Sequence, residues 1–189
     1  MFSRKYAGDY RLENVKDKKG RLVTKAVYKG QYYAFEQSAD NVKSEVRIVT
    51  VFTAAAILLF ALALAFYSNK GFSAQYYTLI PFLVCMFPLL YLGFAVYCLN
   101  KVCRREDMRA TREEKDKMYD RLAKCTFVIM LLSGWNICGV ILAYILKLVG
   151  KETRPVTSGD IVFSLSSLLF FAAIVFIFTR RKKFIMHPV

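Results

Sequence analysis

The chain is poor in the residue types from which reaction centres are built. Among 189 residues there is one histidine, His187, and it sits beside Pro188, where a solvated tail is expected rather than a ligand or base. The five cysteines, Cys85, Cys98, Cys103, Cys125 and Cys138, form no Cys-x-x-Cys pair and no spacing with histidine that matches a zinc site. A membrane thiol oxidoreductase needs a paired, exposed, low-pKa thiol, and the sequence presents none. The cysteines therefore read as small apolar filler. With no acid–base cluster and no phosphate loop, an enzyme is not expected, and neither is a catalytic residue, a metal or a cofactor. Glu45, Asp107 and Asp160 are the isolated candidates for a lipid-modifying enzyme, and each has an ordinary helix-end explanation.

Charge is also missing from four long stretches. No Asp, Glu, Lys or Arg occurs in Ile48–Asn69, Gly71–Asn100, Cys125–Leu146 or Ile161–Thr179, which hold 22, 30, 22 and 19 residues. Each is long enough to cross about 30 Å of hydrocarbon as a helix rising 1.5 Å per residue. Four buried helices of a soluble core would leave too little polar surface in so short a chain. The expected fold is an all-α integral membrane protein, a four-helix transmembrane bundle with spans at about 46–67, 77–100, 125–148 and 160–179. The first run follows about 46 polar residues with no small-residue cleavage pattern, so no cleavable signal is expected and the first span also directs insertion.

What is abundant is positive charge, with a formal net charge of +14. Its placement decides its meaning. Residues 1–47 carry eleven Lys or Arg, the connector 101–124 nine, and the tail 180–189 four, whereas the other two loops carry Lys70 and then Lys147, Lys151 and Arg154. By the positive-inside rule both termini and the connector are cytoplasmic, in a cytoplasmic or plasma membrane. Nucleic acid is not expected, because these segments hold no recognisable reader. Anionic lipid on the cytoplasmic side is the simpler counter-charge, with Arg104, Arg105, Arg180, Arg181, Lys182 and Lys183 as its candidate contacts.

The polar segments carry local signals of their own. In residues 1–45, DYRLENV, RLVTKAVY and QYYAFE predict three short strands joined by turns at Lys16–Gly20 and Lys29–Gly30, a small antiparallel meander. So small a sheet needs support from the bilayer surface, the connector or another protein. In the connector, Thr111-x-x-Glu114 matches a capping box, which predicts a helix starting at Arg112 and running into the third span, about 37 residues or 55 Å. The connector is thus expected to form a cytoplasmic helical stalk, with the chain turning near Ala110.

Within the apolar runs, Pro88 is deep enough to bend the second helix. Ser133, Trp135, Asn136 and Gly139 make the third run unusual, and this face is expected to point into protein as a polar packing site. Two functions compete. The first is a non-catalytic accessory or scaffold subunit that works through its cytoplasmic face, with another membrane protein or a second copy of itself as partner. The alternative is a small oligomeric transporter or passive channel using Thr50, Thr53, Ser133, Asn136 and the kink at Pro88; the absence of ionisable residues from the spans counts against it.

Overall fold

The computed structural model describes residues 4–16, 22–67, 71–151 and 155–189. It is mostly helical, and four helices are long and apolar enough to cross a membrane: Ala39–Ala65, Tyr76–Cys103, Arg112–Leu148 and Ser158–Phe184, the last closing in a 3-10 turn at Arg181–Phe184. They are called the first to fourth helices below. The first packs against the fourth, the fourth against the third, and the second against both the first and the third. Phenylalanines fill the centre. Phe82 of the second helix meets Phe60 of the first at 4.6 Å between ring centroids, and Phe163 and Phe170 of the fourth at 5.2 and 6.0 Å. All four rings are buried, and such aromatic contacts add to the packing that holds apolar helices together.

The second helix is broken, with segments Tyr76–Val84 and Met86–Cys103 on either side of Cys85. The break falls one turn before Pro88 because proline acts on the carbonyl four residues earlier, here that of Val84, by withholding an N–H and crowding it. The helical ladder resumes where Leu89 N donates to Cys85 O at 3.0 Å. The third helix is 37 residues long and begins with the expected capping box. Thr111 Oγ1 accepts from Glu114 N at 3.3 Å, and a Glu114 carboxylate oxygen accepts from Thr111 N at 3.1 Å. A π-helical turn at Asp116–Asp120 interrupts its regular winding.

The β structure differs from the expected meander. Strands β1 (Tyr10–Lys16) and β2 (Leu22–Tyr28) form an antiparallel hairpin with Tyr10 opposite Tyr28. Most of the first predicted turn, 17–20, lies outside the described residues. Strand β3 (Tyr33–Phe35) does not join the hairpin. It pairs with β4 (Met186–Pro188), so that the basic tail is a strand rather than a free end, and His187 stands opposite Ala34. β3 also makes a two-bond bridge with the connector, Tyr33 N to Ala110 O and Ala110 N to Tyr33 O, both 2.9 Å. Apolar anchors explain the exchange. Phe184, Met186, Met108 and Ala110 are all buried beneath this small sheet, and Met108 accepts a left-handed backbone, φ 47°, in making the turn.

Candidate functional site

The three basic segments converge on one end of the bundle and form a folded cap. Tyr6, buried in a 3-10 turn at Arg4–Asp9, donates its hydroxyl to Asp116 Oδ2 at 2.6 Å, and Lys5 Nζ reaches the same oxygen at 2.6 Å. Burial pushes the Asp116 carboxyl up, but the Lys5 and Tyr6 hydrogen bonds outweigh it, and the net effect is below the usual aspartate range. Arg112 N donates to Tyr28 Oη at 3.1 Å, and Lys115 Nζ sits 4.3 Å from the Tyr33 ring centroid. The connector helix is therefore clothed by the N-terminal segment along its first turns and is not a bare stalk.

Ion pairs close the cap against the bundle. Glu45, nearly buried on the first helix, is held by Arg180 at 2.8 and 2.9 Å and by Lys183. Arg105 makes a two-point pair with Glu114. Burial raises the Glu114 carboxyl, while the hydrogen bonds from Arg105 and the Thr111 backbone bring it below the usual range. Arg181 lies 3.6 Å from the Phe178 ring centroid and Lys182 is exposed. Of the six basic residues expected to meet anionic lipid, Arg105, Arg180 and Lys183 are thus already matched by carboxylates inside the protein. Arg104 is exposed and has no carboxylate partner among the described residues.

Arg104 belongs to a groove between the first and second helices. Its mouth, about 490 Å³, is lined by Lys43, Arg47, Arg104 and Arg105, with Glu106 the carboxylate on the rim. At the throat Asn100 Nδ2 donates to Thr50 Oγ1 at 2.8 Å, and Thr50 in turn donates to Val46 O at 2.7 Å. Below lies an apolar continuation of about 390 Å³ that shares Thr50, Asn100 and Arg104 and runs past Thr53, Ile57 and Gly93.

The polar residues of the third helix divide between two faces. Ser133, Asn136 and Gly139 are buried, but Trp135 is 63% exposed and points outward, beside Tyr76, Tyr77 and Leu132. Trp135 therefore does not share the buried face expected for it with Ser133, Asn136 and Gly139: it is turned about 100° from Asn136, toward the outer side of the helix. Asn136 Nδ2 donates to Thr78 O at 2.7 Å, and its Oδ1 has no partner among the described residues. An added Cβ on Gly139 would lie 2.8 Å from Tyr77 O, so the helices meet backbone to backbone here. Ser133 donates back to Ile129 O in its own helix.

Thr50 and Thr53 line the groove near Asn100, while Asn136 is bonded to Thr78, 22 residues and about 33 Å along the second helix from Asn100. The three isolated acids are engaged as well. Glu45 is ion-paired, Asp107 Oδ1 is 3.4 Å from Arg109 N, and Asp160 forms a second capping box with Thr157 while accepting from Ser73 N at 2.9 Å. The signal for that box is Thr157-x-x-Asp160, and Pro155 and Gly159 beside it are turn-forming residues that mask it. The chain matches no family model, no curated protein and no solved structure.

Proposed function

We propose that this is a non-catalytic multi-pass membrane protein, an accessory or scaffold subunit that presents a folded cytoplasmic cap to a membrane partner. The observation that supports it is the joining of residues 4–36, the connector and the tail into one unit at one end of the bundle. Bonding among the three segments supports a threading that keeps them on one side of the bilayer, and their positive charge supports the cytoplasmic side. Glu45, Glu114 and Asp116 of the cap are spent on ion pairs, which suits a structural part better than a reaction centre. On the hairpin, Leu12 and Leu22 are 76% and 71% exposed. They lie on the same face as Tyr10 and Tyr28, beyond the stretch that meets the connector, and offer an apolar contact to a partner.

The threading is tested with an Asp107→Cys variant treated with a membrane-impermeant thiol reagent. Labelling is expected only after the cells are opened, and labelling of intact cells would refute it. The scaffold role is tested with a photo-crosslinking residue in place of Leu12, which should yield one defined adduct with another membrane protein. Solute-specific flux through reconstituted vesicles, abolished by Asn136→Leu, would instead establish a transporter.

A further inference from the structure

The geometry points to the groove between the first and second helices as a binding site for one anionic glycerophospholipid, its phosphate among Lys43, Arg47 and Arg104 and one acyl chain below. The charge balance at the mouth selects the headgroup. Lys43, Arg47 and Arg104 are exposed and have no carboxylate partner among the described residues, Arg105 is taken up by Glu114, and Glu106 is the acid on the rim. Three cations on two adjacent helix ends, none of them paired with a carboxylate among the described residues, leave a site for a multidentate anion.

The lower groove selects a lipid over a free anion. From Arg47 to Ile57 it descends about 15 Å along the first helix, and its wall turns from guanidinium and amide groups to Ala54, Ile57 and Val96. Opposite, the space beside Gly93 is open, since an added Cβ would meet nothing within 4 Å. The second helix thus leaves room for a chain where a larger side chain would fill the groove.

The test uses the full chain purified in a non-ionic detergent, with equal amounts of dioleoyl phosphatidylglycerol and dioleoyl phosphatidylcholine, and bound lipid counted by native mass spectrometry. One phosphatidylglycerol is expected to be retained in preference, by five-fold or more. Replacing all three cations by glutamine (K43Q, R47Q and R104Q together) should erase the preference. Gly93→Phe blocks the groove without touching a charge and should reduce retention as far as the triple replacement does. Because position 93 faces open space, this variant keeps the test valid if the triple replacement fails to fold. Equal retention of the two lipids by the wild type, or unchanged retention in Gly93→Phe, overturns the proposal. Competition by glycerol phosphate as effective as that by the whole lipid also overturns it, by assigning the mouth to a free anion.

Discussion

Glu45 near the start of the first helix and Arg180 at the end of the fourth are joined by two hydrogen bonds of 2.8 and 2.9 Å to the two carboxylate oxygens. This pair, with Lys183 on the same carboxylate, locks the two helices that pack most extensively at the point where they enter the cap. Side-chain exposure is 11% for Glu45 but 30% and 41% for the two cations. The loss on breaking it therefore lies below that of a fully buried pair.

Glu45→Gln should cost about 1–3 kcal/mol, because it leaves two cations facing an amide. Arg180→Gln or Lys183→Gln alone should cost less, since the carboxylate keeps one partner. Thermal unfolding of the three variants in one detergent gives the order; an equal or smaller shift for Glu45→Gln would contradict it.

The attachment of the N-terminal turn should depend on pH through Asp116. Its carboxyl titrates below the ordinary value of 3.8 because Lys5 and Tyr6 bond the charged form more strongly than burial opposes it. The attachment is then at full strength above 3.8 and is lost as the pH falls through the lower folded-state value. The protection of amides 4–9, taken as the intrinsic rate relative to the exchange rate at each pH, is expected to fall across that acid window. In Asp116→Asn the protection should be low at neutral pH and unchanged in acid.

Gly139 and Gly93 should respond in opposite ways to alanine. At 139 the new methyl meets the Tyr77 carbonyl at 2.8 Å and the Thr78 Cγ2 at 3.1 Å, so the third helix must move away, at about 1–3 kcal/mol. At 93 it meets nothing, and exchanging glycine for alanine in a helix gains about 0.5–1 kcal/mol. Melting temperatures should fall in the first variant and hold or rise in the second.

Asp160 ties the fourth helix to the loop before the second. Asp160→Ala removes the acceptor for Ser73 N and Thr157 N, at 2.9 and 2.8 Å, and should cost about 1–3 kcal/mol. A Cβ on Gly71 would fall 2.0 Å from Asp160 Oδ2, so Gly71→Ala must displace the same carboxylate. The double variant should be hardly less stable than either single one; fully additive losses would show the two residues to act apart.

What was legible in the sequence is what depends on neighbours in sequence. The four charge-free runs set the helices, and Thr111 with Glu114 marked the start of the third to the residue, because a capping box is written within four positions. Pro88 announced a break, though the break appears at Cys85, where the missing bond takes effect. What stayed hidden depends on partners far along the chain. Glu45 reads as an isolated acid until Arg180 and Lys183 fold back on it, and a three-residue strand such as β3 gives no sign of whether it will pair with β2 or with Met186–Pro188. The groove is of the same kind, because Arg47 and Arg104 are brought together only by the antiparallel packing of their helices.

The pairing of β3 with β4 also sets an order of events in the life of the molecule. β3 is translated before any of the long helices and its mate after all of them, so this sheet is the last piece to close. Until then Ala34 and Phe35 lack their partners, while Tyr33 can already bridge to Ala110. Under the threading proposed above, a molecule whose fourth helix had inserted the wrong way round would carry Met186 to the far side of the lipid and leave that sheet unmade, so that closure of the sheet reads out correct assembly.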